Sequence, residues 1–179
     1  MRKWNAVLTA VILVLFLIHA ILGSFQLFGI GNTAGKAIAR AAEILIWIHV
    51  LIGVKLTVDT LRAQHKAGAR YFRENALFWA RRISGFAVMV LLLFHFNAFG
   101  DNSGPLYRLR VFDSTKLITQ LLLVLSIALH VITNVKPALI AFGIKSWKAR
   151  TGEILAILSV LLLVIAAAFI VYYLRWNMD

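Results

Sequence analysis

Cysteine is absent from the 179-residue sequence, and proline and acidic residues are scarce: there are two prolines and seven Asp or Glu. Without thiolates, cysteine-ligated iron–sulfur clusters, thiolate-ligated haem and a cysteine nucleophile are excluded. No G-x-G-x-x-G or P-loop pattern occurs. The net charge is +12, but no basic patch with interleaved aromatic residues lies outside the apolar segments, so we expect no nucleic acid as a partner.

The chain has an excess of apolar residues. It is 61% hydrophobic with a mean hydropathy of +0.86, whereas a soluble domain is about 45–50% apolar. A helix needs about 20 apolar residues to cross a bilayer core of ~30 Å. The sequence therefore predicts an all-α integral membrane protein, a five-transmembrane-helix bundle that forms one membrane domain over residues 1–179. The predicted spans are 4–28, 37–61, 79–99, 114–135 and 152–174.

Basic residues are divided unequally between the two sides of the predicted bundle. Twelve fall on the side of the N-terminus and six on the other, so the positive-inside rule predicts a cytoplasmic N-terminus and an outer C-terminus. The expected location is the cell inner (cytoplasmic) membrane. Segment 62–82 is interpreted either as a docking surface for a soluble partner or as a contact with lipid headgroups. The twelve are Arg2, Lys3, Arg62, Lys66, Arg70, Arg73, Arg81, Arg82, Lys136, Lys145, Lys148 and Arg150; the six are Lys36, Arg40, Arg108, Arg110, Lys116 and Arg175.

Four of the five histidines lie inside apolar segments, one on each of the first four helices: His19, His49, His95 and His130. An imidazole in lipid is costly and usually serves a function or an internal hydrogen bond. At a rise of 1.5 Å per residue, His19 and His95 fall at one level in the outer half of the membrane, and His49 and His130 at another level in the inner half. Two imidazoles on facing helices at one level can ligate one haem iron from opposite sides. The alternative is four separate histidines, each hydrogen-bonded to a neighbouring helix.

Three helices carry motifs of a known family. The third contains "RISG" followed by His95, the second "HVLIGVKL" with His49, Gly53 and Lys55, and the fourth "HVITN" with His130 and Asn134. This pattern resembles the di-haem cytochrome b membrane-anchor subunits of the succinate dehydrogenase/fumarate reductase (succinate:quinone oxidoreductase) family. That family has five helices with ligands on the first four, paired first with third and second with fourth.

The resemblance implies a function and a set of partners. The chain would carry electrons between membrane quinone and a cytoplasmic flavin/iron–sulfur dehydrogenase through two haem b groups, ligated by His19/His95 and His49/His130. Flavoprotein and iron–sulfur subunits would be separate chains on the cytoplasmic side. The chain alone would not catalyse dicarboxylate chemistry. Unlike some members of the family, this chain has Ala128 and Leu129, and no carboxylate, just before His130.

Further polar residues are candidates for haem and quinone contacts. Haem propionates are anionic and meet basic or hydroxyl side chains near the membrane surface; the candidates are Arg81, Arg82, Ser84, Lys55 and Lys136, with snorkelling to headgroups as the alternative for the cations. Lys55 is also predicted to pair with Asp59. A quinone site needs a proton donor or acceptor near a haem edge. Glu43 is the main candidate, with an ion pair to Arg40 as the alternative. Gln26, Asn97 and Asn32 are further candidates.

Two other functions stay open on the sequence alone. One is a different di-haem carrier, such as a cytochrome b561-like protein or the anchor of a hydrogenase or formate dehydrogenase. The other is a haem-free transporter or structural membrane protein. The subunits that copurify with the chain would distinguish another di-haem carrier from an anchor of the succinate:quinone oxidoreductase type. An absorption spectrum would distinguish a haem-free protein from a cytochrome.

Overall fold

The computed structural model describes residues 2–31, 34–68, 76–99, 111–144 and 146–178. Within these ranges it contains five α-helices and no strand. All five are long and apolar enough to span a membrane, which confirms the predicted multi-pass helical membrane protein. Residues Asn32, Arg70, Arg73, Asp101, Arg108, Arg110, Lys145 and Asp179 lie outside the described ranges. The helices are α1 (Arg2–Leu27), α2 (Gly35–Lys66), α3 (Ala76–Phe99), α4 (Ser114–Ala141) and α5 (Trp147–Asn177).

Several helices extend beyond the apolar spans predicted from sequence. The backbone hydrogen bonds of a helix continue into polar sequence, whereas the predicted spans count only the residues that lipid requires to be apolar. Three helix ends are followed by a glycine with a positive φ, namely Gly29, Gly68 and Gly143. Gly29 and Gly143 adopt positive φ values of 94° and 74°, and the next residue bonds back to the helix, Ile30 N to Phe25 O and Ile144 N to Leu139 O.

Helix α4 continues through Pro137, although the sequence predicted its end at residue 135. Proline has no N–H, so the carbonyl of Thr133, four residues earlier, loses its helical donor. Arg81 Nε of α3 donates to this carbonyl over 2.8 Å. The guanidinium therefore replaces the missing backbone donor and fastens α3 to α4, which explains how the helix tolerates the proline.

The helices form two hairpins, α1/α2 and α3/α4, which contact each other directly through α1 and α4; α5 packs against both of these helices. In a tightly packed four-helix arrangement, neighbouring helix axes are 8–10 Å apart, and α2 would contact α3. Among the described residues, no Cα of α2 lies within 8 Å of α3 or α4, and none of α1 lies within 8 Å of α3. The hairpins therefore contact each other on the α1/α4 side and stay apart on the α2/α3 side, where a cleft lies between α2 and α3.

The best-buried packing lies at the end of the bundle that holds the C-terminus. Phe112, Ala168 and Tyr172 are at most 3% exposed, and Phe99 packs against this cluster. The Asn177 side chain donates to Phe112 O over 3.2 Å, which places the end of α5 beside the start of α4. We call this the C-terminal end of the bundle and the opposite end, where α1 begins, the N-terminal end.

Candidate metal centre

The structure brings the four membrane histidines together as two pairs. The ring centroids of His19 on α1 and His95 on α3 are 6.0 Å apart, and those of His49 on α2 and His130 on α4 are 6.4 Å apart. In each pair the ring planes are 82° apart. Each pair links two helices whose described backbones come no closer to each other than 8 Å between Cα atoms. We call His19/His95 the C-end pair and His49/His130 the N-end pair.

The register of the α3/α4 hairpin sets the distance between the pairs. Three contacts join the antiparallel helices: Arg81 to Thr133, Ser84 to His130, and His95 to Gln120; the residue numbers of each add up to 214 or 215. His130 therefore lies beside Ser84 and Gly85, and His95 lies ten residues beyond Gly85 along α3. Ten residues at 1.5 Å each separate the two levels by ~15 Å.

Hydrogen bonds to the Nδ1 atoms leave the Nε2 atoms available as ligands. Ser84 Oγ donates to Arg81 O over 3.3 Å and lies 3.3 Å from His130 Nδ1. A hydroxyl has one proton, so when Ser84 donates it to Arg81 O, the same oxygen accepts from Nδ1–H of His130. The same holds for Thr9, whose Oγ1 donates to Asn5 O over 2.8 Å and lies 3.5 Å from His49 Nδ1. An imidazole with its proton on Nδ1 has a free lone pair on Nε2.

The C-end pair is supported by an amide. Gln120 Oε1 lies 2.8 Å from His95 Nδ1, and Gln120 is fully buried. An amide oxygen accepts, so His95 also carries its proton on Nδ1. Within the part of the chain that the structure describes, His19 Nδ1 is buried without a hydrogen-bond partner.

The ring distances match a metal ion held between two imidazoles. A ligating nitrogen lies about 2.0–2.1 Å from a first-row metal and about 1.2 Å from its ring centre, which puts two opposed ring centres about 6.4–6.6 Å apart, close to the distances in both pairs. Direct edge-to-face contact of rings covers about 4.5–7 Å, so distance alone fits both arrangements. The Nδ1 contacts of His49, His95 and His130 are of the kind that metal-ligating histidines make, because such histidines donate their second N–H to a neighbouring acceptor. The described residues contain no group of three or more potential ligands, which disfavours a zinc-type site.

Two glycines leave open space beside the imidazoles. Gly23 and Gly53 follow His19 and His49 by four residues and so lie on the same helix face, one turn away. A Cβ at either position would meet no atom within 4 Å. A planar macrocycle can therefore approach the α1 and α2 backbones beside each histidine. Gly85 differs, because a Cβ there would lie 3.1 Å from His130 Cε1; this glycine makes room for the imidazole itself.

The residues predicted to contact the haem propionates differ in their burial and in their hydrogen bonds. Ser84 is buried and contacts His130, and Arg81 Nε is used by the Thr133 carbonyl. Arg82 is half-buried over the Phe78 ring, 5.2 Å from its centroid, and its Nε is buried without a hydrogen-bond partner in the described part of the chain. Arg82 is thus the cation with an unused buried donor near the N-end pair. Lys136 is exposed on α4, and the predicted pair of Lys55 with Asp59 is confirmed at 3.0 Å.

Glu43 lies in the cleft between α2 and α3. Its Oε2 is 2.9 Å from Arg40 Nη1, which confirms the predicted ion pair. The carboxylate also borders a cleft that runs toward the level of the C-end pair and is lined by Ile46, Trp47, Val50, Met89, Leu92, Leu93 and Phe96. Gln26 is half-buried in the last turn of α1 and does not line this cleft, and Asn97 is exposed on α3.

Sequence reasoning missed three residues that the structure places at the histidine pairs: Thr9, Gly23 and Gln120. Gln120 carried a signal, since a glutamine within an apolar span is costly and usually has a hydrogen-bond partner there. Gly23 repeats on α1 the His-x-x-x-Gly spacing of α2. Thr9 carried none, because a threonine in a membrane helix commonly bonds to its own backbone.

Comparison of the chain with protein-family models, with curated proteins and with solved structures gave no match. The function proposed below therefore depends on the residues and their geometry, together with the motif resemblance of α2, α3 and α4.

Proposed function

We propose that this chain is a membrane cytochrome b with two bis-histidine haem b groups, and that it anchors a succinate:quinone oxidoreductase-type complex. The observation that supports the proposal most strongly is the pairing of α1 with α3 and of α2 with α4 through histidines, in helices that otherwise stay apart. The pairing matches the ligand pattern of the family that the motifs resemble. Ser84 and Gly85 of its "RISG" motif both contact His130.

The residues of the chain have separate tasks in this proposal. A haem between two imidazoles exchanges one electron at its iron and keeps no open coordination position. The four histidines would hold the haem irons through Nε2, and Ser84, Thr9 and Gln120 would fix the tautomer and orientation of three of them through Nδ1. Apolar side chains of α2 and α3 exclude water from the cleft.

The proposed orientation places the N-end pair toward the cytoplasm. The basic residues of the N-terminal side then face the flavoprotein and iron–sulfur subunits, so the N-end pair lies on the side of the dehydrogenase and the C-end pair on the outer side. Electrons would cross the ~15 Å between the two levels. The proposed location is the inner membrane of the cell.

A spectrum of the purified chain tests the proposal. We expect a b-type alpha band in the reduced-minus-oxidised spectrum and about two haems per chain. Because the ring planes in each pair are 82° apart, the ferric protein should give strongly anisotropic low-spin EPR signals with a large maximum g value. A haem-free preparation from haem-replete cells would contradict the proposal. Copurification with a hydrogenase or formate dehydrogenase, in place of a flavoprotein and an iron–sulfur protein, would contradict the anchor assignment alone.

We further propose that quinone reacts at the cleft beside Glu43. The cleft is apolar and opens between α2 and α3, and the partly buried Glu43 is the carboxylate that lines it. A carboxylate can take up the proton that quinol releases on oxidation, and Trp47 supplies an aromatic wall. On this proposal, Arg40 orients the carboxylate from the neighbouring helical turn.

Replacing Glu43 with glutamine is expected to slow quinol oxidation about 10²-fold, because general acid–base groups contribute on that order. Both haems should remain, since the hydrogen bonds to the histidines come from Thr9, Ser84 and Gln120 and do not involve Glu43. Stopped-flow reduction of the haems by quinol measures the rate. Glu153→Gln is the matched control, because Glu153 also pairs with an arginine three residues away but lies on α5. Equal rates in both variants would exclude Glu43 as the proton acceptor.

A further inference from the structure

Gln120 differs from the other polar residues near the histidines. It is 0% exposed, it lies six residues from the start of α4, and its Oε1 is 2.8 Å from His95 Nδ1. The corresponding contacts of the N-end pair are longer, 3.3 Å from Ser84 and 3.5 Å from Thr9, and are made by hydroxyl groups. The shortest contact to an imidazole nitrogen among the described residues is therefore made by an amide.

The orientation of the Gln120 carboxamide determines which ring nitrogen of His95 carries the proton and which is free to bind a metal. With Oε1 toward the ring, His95 carries its proton on Nδ1 and offers the Nε2 lone pair to a metal. With the amide reversed, Nε2 of Gln120 would donate to Nδ1, and the ring proton would occupy the atom that must ligate. In the structure Oε1 faces the ring, and the Nε2 group of Gln120 is buried without a partner within the described residues.

Packing alone does not account for this glutamine. A leucine of similar length would fill the same volume among apolar neighbours, and it would not leave a buried amide donor unsatisfied, which costs about 1–3 kcal/mol. The cost is offset where the other half of the amide makes a hydrogen bond that the site requires. Here that hydrogen bond joins Gln120 Oε1 to His95 Nδ1.

We infer that Gln120 is a positioning residue that fixes the tautomer of His95 and, through it, the reduction potential of the haem at the C-end pair. This inference rests on the proposed function. A hydrogen bond from Nδ1–H to an acceptor increases the electron donation from the imidazole to the iron and favours the ferric state. Gln120 therefore lowers the potential of this haem and leaves the haem at the N-end pair unaffected.

Redox titration of the full chain in its native complex tests the inference. Gln120→Leu keeps the side-chain volume and removes the acceptor, so the potential of one haem should rise by about 59 mV, a tenfold change in the equilibrium constant for one electron. Gln120→Glu keeps an oxygen at the same place, so the potential should stay at or below the wild-type value. Ser84→Ala is the matched control and should move the potential of the other haem. Equal potentials in all three Gln120 forms, or equal shifts of both haems, would overturn the inference.

A second measurement separates this inference from the proposed function. ¹⁵N NMR of labelled histidine in the haem-free full chain, reconstituted in lipid, reports which nitrogen of His95 carries the proton. We expect Nδ1–H in the wild type and in Gln120→Glu, and a mixture with Nε2–H in Gln120→Leu. This measurement also tests the role of Gln120 if the Gln120→Leu variant does not retain the haem. A wild-type chain without haem would end the proposed function, whereas an unchanged tautomer in Gln120→Leu would end the inference alone.

Discussion

Replacing His95 with alanine is expected to lower the haem content of the purified chain from two to one. On the proposed function, the C-end pair would lose one of its two axial ligands, and an imidazole on one side alone does not hold a b-type haem that has no covalent attachment. His19→Ala should remove the same haem, and His49→Ala or His130→Ala the other. Pyridine haemochrome content and the EPR spectrum of each variant measure the result.

Double variants make the pairing itself testable. The His19/His95 double variant should retain one haem, like either of its parents, whereas the His19/His130 double variant should retain none. His65→Ala is the control, because His65 is exposed near the end of α2 and should not change the content. A double variant of His19 and His95 that loses both haems would show that these residues do not serve one site.

Replacing Gly53 with leucine is expected to remove the haem at the N-end pair without unfolding the chain. A Cβ added at this position would have no atom within 4 Å outside its own helical turn, so a larger side chain begins in open space one turn from His49. Leucine is also the better helix former by about 0.8–1 kcal/mol. Expression level and thermal stability of the haem-free form should therefore be unchanged or higher, while the haem content falls by half.

Gly152→Leu is the matched control for this substitution. Gly152 lies on α5, is exposed, and also has no atom within 4 Å of an added Cβ. Both haems should remain in this variant. A Gly53→Leu chain with two haems would show that the space beside His49 is not where the macrocycle lies, and the proposed site would be wrong.

Much of the fold followed from the sequence because lipid imposes few choices. Apolar length alone located all five helices, since a spanning backbone must satisfy its own hydrogen bonds. Helix ends were less predictable. The continuation of α4 past Pro137 depends on Arg81, fifty-two residues away from Thr133 in sequence, and a contact of that separation is not contained in the local pattern.

Of the candidate site, only the four histidines and their pairing could be predicted from the sequence. Depth along each helix placed His19 with His95 and His49 with His130, and the structure brings the same residues together. The haem and quinone assignments stay predictions. Gln120 was not found because depth says nothing about the rotation of a helix about its axis. The side-chain contact of Ser84 with His130 shows which faces of α3 and α4 meet and in which register. That register places Gln120 beside His95.

The position of α5 has a consequence for how the protein is made. This helix carries no histidine, yet it provides most of the packing between the two hairpins, through α1 on one side and α4 on the other. It also leaves the ribosome after the other four helices. The four histidines therefore enter the bilayer before α5 does, so the proposed haem groups could bind to a nascent chain before α5 packs against the two hairpins.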